Sequence, residues 1–197
     1  WRCFPDVLAT ATGWPVLAYD RWGYGKSARR EAFPDTVMQD EAVRLSRILD
    51  AAGIDHCVLV GHSDGGTIAL LHATGSAPKI RGLVTIAAHV TVDPTVALYL
   101  DDLDALLAAG TPPTWLKRFH GDRGLQLLAC WISTWRQSFA NGWNIVPLLA
   151  TIQAPLLVLQ GAKDPYKIPD HLQLICDVVP GTEKILLEGL GHFPHLE

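Results

Sequence analysis

Runs of apolar residues alternate along the chain with stretches in which apolar residues recur every three or four positions. The short continuous runs, bounded by turn residues, predict buried strands, and the three-to-four-residue recurrence predicts amphipathic helices. The predicted strands are residues 15–20, 57–60, 83–88, 155–160 and 184–187. The predicted helices are residues 4–12, 37–52, 67–72 and about 169–179. This alternation predicts an α/β fold in which helices flank a mostly parallel sheet on both faces.

The second predicted helix has the clearest amphipathic pattern. Residues 37–52 place six apolar side chains on one face, namely Met38, Ala42, Leu45, Ile48, Leu49 and Ala52. Glycines follow the first two helices, at Gly13 and Gly53, where a left-handed residue commonly ends a helix. We therefore expect this helix to cover the sheet with its apolar face.

Between residues 90 and 150 the alternation of strands and helices stops. Two helix-like runs, residues 96–109 and 125–135, occur there without a convincing strand. The segment also holds four of the seven tryptophans, Trp115, Trp131, Trp135 and Trp143. We predict a core formed by residues 1–89 and 151–197, with a helical insertion at 90–150 over the strand ends. The tryptophans would either line a pocket or attach the insertion to the core.

A candidate nucleophile follows the strand at 57–60, which runs directly into a Gly-x-Ser-x-Gly sequence and then into a helical pattern. A serine on so sharp a turn is held in a strained conformation with its hydroxyl exposed. Because Gly61 and Gly65 have no side chains, we expect the strand and the helix to approach each other closely there. The alternative is a solvated serine in a glycine-rich turn. The flanking strand and helix favour Ser63 as a nucleophile.

A serine hydroxyl needs a base, and a neutral histidine held by a carboxylate is the usual solution. In an open parallel sheet, ligands bind outside the carboxyl ends of the strands. Asp164 follows the strand at 155–160, and His192 follows the strand at 184–187. The order Ser63, Asp164, His192 is the order expected when such a turn carries the nucleophile.

Other acids and histidines remain alternatives. Asp164 could instead be a turn residue before a proline. The rival acids are less well placed, because two fall in or next to the insertion and one suits the first turn of a helix: Asp93, Asp122 and Asp170. His195 competes with His192, but it follows a proline and suits packing better. His62 is expected to pack or hydrogen-bond beneath the turn. The remaining histidines are interpreted as structural or solvated: His56, His72, His89, His120 and His171.

Asp64 follows the candidate nucleophile, and its backbone N–H is the expected donor to an oxyanion. Its side chain, on the first helical residue, is expected to be stabilised by the positive end of the helix dipole. A carboxylate this close to the site could also raise the pKa of a catalytic histidine.

Composition restricts the function classes further. The net charge of −4 and the absence of basic runs give no basis for binding nucleic acid or an anionic membrane. No apolar run is long enough to span a membrane, and the start does not resemble a signal peptide. The four cysteines are scattered without metal-binding spacing, which favours the cytoplasm and predicts neither a metal nor a cofactor. A small-molecule substrate is the expected partner, and the oligomeric state is left open.

Four motifs, in this order, resemble the α/β-hydrolase family. They are the loop Asp20-Arg-Trp-Gly-Tyr-Gly-Lys-Ser27, the turn Gly61-His-Ser-Asp-Gly-Gly66, the acid turn Gln160-Gly-x-x-Asp164 and the histidine loop Gly191-His192. The resemblance implies that residues 90–150 form a helical cap over a substrate pocket. It also implies three further N-terminal strands, a loop with the second oxyanion donor and a closing helix. The chain opens at Trp1 and stops at Glu197, so we expect it to lack these parts.

The resemblance implies an activity as well as a fold. A serine at this turn argues against haloalkane dehalogenases and epoxide hydrolases, which carry aspartate there. Hydrolysis of a small or medium carboxylic ester through an acyl-enzyme is the default expectation. Carbon–carbon bond hydrolysis of ring-fission products, lactone hydrolysis and haloperoxidase-like chemistry are the alternatives. A small-molecule receptor that retains the triad is the alternative from another class.

Overall fold

The computed structural model describes residues 1–75, 78–92, 94–110, 112–166 and 170–197. For residues 94–99 and for Trp115 it describes the backbone but not the side chain. Asp93, one of the rival acids, lies outside the described residues, as does the proline at which the last helix was predicted to begin.

The centre of the fold is a sheet of four parallel strands, arranged in the order in which they occur along the chain. They are β1 (Cys57–His62), β2 (Ile80–Ile86), β3 (Leu156–Gly161) and β4 (Glu183–Leu187). Four of the five predicted strands are therefore confirmed. The register pairs His62 with Ile86, so the carboxyl ends of β1 and β2 lie side by side. Parallel pairing brings the ends of all four strands to one edge of the sheet.

The fifth predicted strand, residues 15–20, is wrong. Within the described residues this segment joins no sheet, and its apolar side chains face outward, with Val16 38% and Leu17 55% exposed. A strand forms only when a neighbour accepts and donates its backbone hydrogen bonds. Among the described strands β1 pairs only with β2, and no backbone hydrogen bond links residues 15–20 to either. The apolar run alone could not reveal the missing neighbour.

Four helices accompany the strands: α1 (Phe4–Thr12), α2 (Val37–Ala51), α3 (Asp64–Ala73) and α8 (His171–Val178). The predicted stop of α1 is confirmed, because Gly13 has a left-handed φ of 70°. The core side of α2 is also largely as predicted, with Met38, Ala42, Leu45 and Leu49 buried. Ala52 is exposed, because the helix ends one residue before it.

The segment 90–150 is helical, as its sequence predicts. It contains α4 (Pro94–Ala108), α5 (Thr114–His120), α6 (Gly124–Ala140) and α7 (Val146–Leu149), with a 3-10 turn at Gly121–Arg123. Its two ends meet, because Thr91 forms an antiparallel bridge with Asn144 and the Ile145 N–H donates to the Val90 carbonyl at 2.9 Å. The chain thus leaves the sheet and returns to it at one place. The division into core and insertion remains a prediction.

Candidate active site

Ser63 occupies the single residue between the end of β1 and the start of α3. Its φ of 53° and ψ of −123° lie where a residue with a side chain is strained. The Ser63 N–H donates to the Ile86 carbonyl at 2.9 Å, which anchors the turn to β2. The strained strand-to-helix turn predicted from the sequence is therefore present.

Of the two glycines predicted to permit the close approach of strand and helix, one has that role and the other does not. A Cβ on Gly61 would collide with the backbone of Gly65, as expected for a close approach. A Cβ on Gly65 would meet nothing within 4 Å, so the prediction that its missing side chain permits this approach is wrong. The close contact is made by the backbone of Gly65 instead. Gly66 is the second restricted position, because its Cβ would lie 2.8 Å from the Cβ of Ala88.

The backbone N–H of Asp64 is available at the start of α3. As the first helical residue it has no intrahelical acceptor, and among the described residues it donates to no other group. The helix dipole adds partial positive charge at the same point. The predicted oxyanion donor therefore has the free N–H that the role requires.

Asp164 and His192 lie together after β3 and β4. The Asp164 carboxylate oxygen Oδ2 is 2.7 Å from His192 Nδ1 and accepts a hydrogen bond from Gln160 Nε2 at 2.6 Å. Its other oxygen accepts from the Tyr166 backbone N–H at 2.8 Å. Asp164 is only 2% exposed. The bond from the Tyr166 N–H is that of a turn, so Asp164 is also the turn residue of the alternative interpretation, with its second oxygen on His192.

The surroundings keep Asp164 ionised. Burial by itself would raise the pKa of this carboxyl, but the hydrogen bond and the charge of His192 outweigh burial, so that the pKa lies below its ordinary value. The two loops are pressed together at Gly161, where a Cβ would collide with the backbone of Leu190 and Gly191. The Lys163 N–H also donates to the Leu190 carbonyl at 2.9 Å. The acid and the histidine are thus held by contacts between their loops.

The structure does not join His192 to Ser63 by a hydrogen bond. The hydroxyl Oγ of Ser63 is 3.4 Å from His89 Nε2, and this is its one hydrogen bond within the described part of the chain. The rings of His89 and His192 are 6.0 Å apart, centre to centre. Hydrogen bonds of catalytic groups are often long in a free enzyme and shorten when substrate binds. Ser63 Oγ is therefore hydrogen-bonded to one imidazole, that of His89, while the other imidazole, that of His192, is hydrogen-bonded to a carboxylate.

His89 is the site residue that the sequence reasoning missed. It was interpreted as structural or solvated, yet its ring lies at the hydroxyl of Ser63 and contacts Trp135, His171 and His192. Burial lowers the pKa of His89 to about 4, so the ring is neutral at neutral pH. One signal could have found it. His89 directly follows a predicted strand, which is the criterion that selected Asp164 and His192.

The other histidines fit their predicted interpretation. His62 Nε2 donates to the His192 carbonyl at 2.6 Å, and burial lowers the pKa of His62 to about 4. His195 packs against Trp1 and His62. His72, His120 and His171 form hydrogen bonds to the backbone of Ala42, Gly25 and Val90, respectively. His56 lies on the surface beside Arg81.

The two described rival acids lie at the surface. Asp122 is exposed in the 3-10 turn at Gly121–Arg123. Asp170 caps α8, where its carboxylate accepts a hydrogen bond from the Gln173 N–H at 3.0 Å. A position in the first turn of a helix was the interpretation given to Asp170, and the cap explains its place without a catalytic role.

The side chain of Asp64 forms an ion pair that the sequence did not predict. Arg21 Nη2 lies 3.2 Å from Asp64 Oδ2, and the guanidinium is 4.4 Å above the ring of Tyr24. Burial raises the pKa of Tyr24 to about 12, so this hydroxyl stays protonated. A cavity next to the turn is lined by Arg21, Tyr24, Phe33, Asp64, Trp131 and Trp135, among others. Two of the tryptophans of segment 90–150 therefore line the same cavity as Asp64, the residue after the candidate nucleophile.

Two further searches concern the described residues only. No group of three or more histidine, cysteine, aspartate or glutamate side chains there could hold a metal ion. None of the helices in the described ranges is long and apolar enough to cross a membrane. All four cysteines are free thiols.

Comparisons with known proteins identify the family of this chain. RutD from Caulobacter sp. (strain K31), which is named as a carbamate hydrolase, is 33% identical over 105 residues, or 52% of this chain and 38% of RutD. The 2-succinyl-6-hydroxy-2,4-cyclohexadiene-1-carboxylate synthase from Serratia proteamaculans (strain 568) is 32% identical over 142 residues, or 72% of this chain and 50% of that protein. The chain thus spans half or less of the length of these relatives.

Solved structures match over more of the chain. The structure of Est816, described as an N-acyl homoserine lactone degrading enzyme, matches with a TM-score of 0.61 at 26% identity, over 88% of this chain and 74% of that one. The sequence profile of the alpha/beta hydrolase family matches residues 1–197. With its parallel sheet, strained serine turn and acid–histidine pair, this chain belongs to the alpha/beta hydrolase family.

Proposed function

We propose that this protein is a serine hydrolase that cleaves small or medium carboxylic esters through an acyl-enzyme. The observation that carries the proposal is the buried Asp164 carboxylate bound to His192 Nδ1 at 2.7 Å, in a chain whose Ser63 occupies a strained strand-to-helix turn. A carboxylate in this place fixes the tautomer of the ring, so that Nε2 is left free to accept a proton. It also stabilises the positive charge that the ring acquires.

In the proposed reaction, Ser63 Oγ attacks the carbonyl carbon of the ester while His192 Nε2 takes its proton. The carbonyl π electrons move to oxygen, and the Asp64 N–H donates to the resulting oxyanion. The tetrahedral intermediate then collapses as His192 returns the proton to the leaving alkoxide. A water molecule, deprotonated by His192, attacks the acyl-enzyme, and collapse of the second intermediate releases the acid and restores Ser63.

The comparisons support the proposal at the level of carbonyl chemistry. The names of RutD and Est816 refer to carbamate hydrolysis and lactone degradation, and both reactions begin with attack on a carbonyl carbon. Esters, lactones and carbamates therefore form the first substrate panel. The second oxyanion donor implied by the family resemblance would raise the rate further, because one such donor is typically worth about 10²–10³ in kcat.

Labelling of the full-length protein with a fluorophosphonate, followed by peptide mapping, tests the proposal directly. We expect one adduct, at Ser63, and none in Ser63→Ala. Ser46→Ala is the matched control, because Ser46 lies on α2 and its hydroxyl is 3.4 Å from a different histidine, His72. Failure of Ser63 to react would contradict the mechanism.

A second measurement separates an enzyme from a receptor that keeps the triad. Hydrolysis of 4-nitrophenyl butanoate should show a burst of 4-nitrophenol equal to the enzyme concentration, followed by steady turnover. A burst without turnover would indicate a trapped acyl-enzyme and a receptor-like protein. Preferential cleavage of a vinylogous 1,5-diketone over all esters would favour a carbon–carbon bond hydrolase.

A further inference from the structure

His89 is fixed against the nucleophile by its backbone. Thr67, one helical turn after Ser63, donates from Oγ1 to the His89 carbonyl at 2.6 Å and accepts from the His89 N–H at 3.3 Å. Thr67 is fully buried. The helix that begins directly after Ser63 therefore also holds His89, so the distance between the two side chains is set by rigid elements rather than by a loose loop.

The chain reaches His89 through a strained turn. Ala87 has a φ of 52°, and together with Ser63 it is one of three described non-glycine residues with positive φ. Such strain costs about 1–3 kcal/mol and persists where the surrounding structure enforces it. Ala88 then packs against Gly66, where no Cβ could be accommodated without a shift. The end of β2 is thus bent toward the serine turn by two independent features.

The ring of His89 contacts a tryptophan that lines the cavity beside the turn. Trp135 packs edge-on against His89, with ring centres 5.4 Å apart, and also lines that cavity. In the proposed mechanism the Asp64 N–H binds the oxyanion and His192 protonates the leaving group. The acyl chain is the remaining substituent of the attacked carbon. The first atoms of that chain would lie on the side of Ser63 Oγ that His89 occupies, because His89 Nε2 is 3.4 Å from this hydroxyl.

We propose that His89 is a specificity-determining residue that donates a hydrogen bond from Nε2 to an oxygen atom on the carbon next to the scissile carbonyl. The favoured substrates would be esters of 2-alkoxy and 2-hydroxy acids. The proposal rests on the proposed serine-hydrolase function. Nε2 is 3.4 Å from Ser63 Oγ, and an atom two bonds from the attacked carbon lies within reach of a group at that position. Since the ring is neutral at neutral pH, it can donate without adding a charge to the pocket.

Two esters that differ in one atom test this inference in the full-length protein. In 4-nitrophenyl methoxyacetate an ether oxygen replaces one CH₂ of 4-nitrophenyl butanoate, and the leaving group is the same. The measured quantity is the ratio of the two kcat/KM values, divided by the ratio for alkaline hydrolysis to remove intrinsic reactivity. We expect the wild-type ratio to be about tenfold above the alkaline one, as a single hydrogen bond would give.

Two amide substitutions form the matched pair. His89→Gln places an amide NH₂ near the position of Nε2, whereas His89→Asn is one CH₂ shorter and withdraws it. We expect the glutamine variant to keep the preference and the asparagine variant to lose it, about tenfold, at similar thermal midpoints. An equal loss for both esters, or a preference that survives in His89→Asn, would overturn the inference. If fluorophosphonate labels Ser63 while the ratio stays unchanged, only this inference fails; without labelling, the proposed function fails as well.

Discussion

The candidate site contains two imidazoles, His89 at the Ser63 hydroxyl and His192 at the Asp164 carboxylate, and their surroundings differ in one decisive respect. His192, after β4, has the buried Asp164 carboxylate at 2.7 Å from its Nδ1. His89, after β2, forms no ion pair within the described residues and is packed among the rings of Trp135, Tyr166, His171 and His192. The first environment places a carboxylate against the ring, whereas the second opposes protonation, since burial lowers the pKa of His89 to about 4.

This difference separates two tasks that one residue type can perform. A general base must accept a proton from serine and hold it through the reaction, which the carboxylate partner makes possible at His192. A ring that stays neutral is better suited to hydrogen-bonding a substrate. The hydrogen bond between His89 and Ser63 in the structure is therefore a poor guide to which histidine is the base.

The largest expected effect comes from removing each imidazole in turn. His192→Ala should lower kcat for 4-nitrophenyl butanoate about 10⁴-fold or more, because serine loses its base. His89→Ala should lower it by less than about 100-fold, since the base and its carboxylate remain. Steady-state kinetics on both variants would measure this difference. A greater loss at His89 than at His192 would reverse the assignment.

The carboxylate can be removed without removing the ring. Asp164→Asn should lower kcat by about 10³-fold or more, because the amide no longer fixes the productive tautomer or stabilises the imidazolium. Asp170→Asn is the matched control on a neighbouring acid, and we expect it to leave kcat unchanged because Asp170 only caps α8. Equal activity in the two variants would show that the Asp164–His192 contact is structural.

Substitutions at two adjacent glycines test the contact between α3 and the turn that precedes His89. Gly66→Ala should destabilise the protein by about 1–3 kcal/mol, because its Cβ would lie 2.8 Å from that of Ala88 and force the turn before His89 to move. Gly65→Ala is the control, since its Cβ meets nothing within 4 Å. Urea unfolding would measure both. Equal unfolding free energies for the two variants would mean that the end of β2 can move away from Gly66 without destabilising the protein.

The smallest expected effect is on the pH dependence of stability. His89 and His62 have pKa values of about 4 when folded, against an ordinary value of 6.5. Between these values the unfolded chain binds more protons than the folded one, so stability should fall as the pH drops from about 6.5 to 4. His89→Phe should reduce the slope of the unfolding free energy against pH by the amount that corresponds to roughly one bound proton. Urea unfolding at a series of pH values would measure the slope, and an unchanged slope would contradict the low pKa.

The catalytic candidates could be predicted because their signals are local. The apolar run before Gly61 and the helical pattern after Gly65 place Ser63 on a strand-to-helix turn, and the same reasoning places Asp164 and His192 after later strands. Parallel strands end at one edge, so position along the chain becomes position in space. His89 satisfied the same criterion but lacked a motif, and its role was therefore missed.

Other features depend on partners that are distant in sequence. Arg21 and Asp64 pair across 43 positions, and nothing in either local sequence indicates the other. The exposed segment 15–20 has the composition of a buried strand, but a strand also requires a neighbour with open hydrogen-bonding groups. Ala52 continues an apolar face by periodicity, yet α2 stops before it.

By itself, the sequence determined where the serine turn, the acid and the histidine lie relative to the strands, because apolar runs and glycines act over a few residues. Only the tertiary structure decided what each of these groups touches. The pairing of β1 with β2, and the clamp of Thr67 on the backbone of His89, bring a second imidazole to Ser63 from 26 residues away. The pressing of the β3 and β4 loops against each other at Gly161 gives His192, rather than His89, the carboxylate.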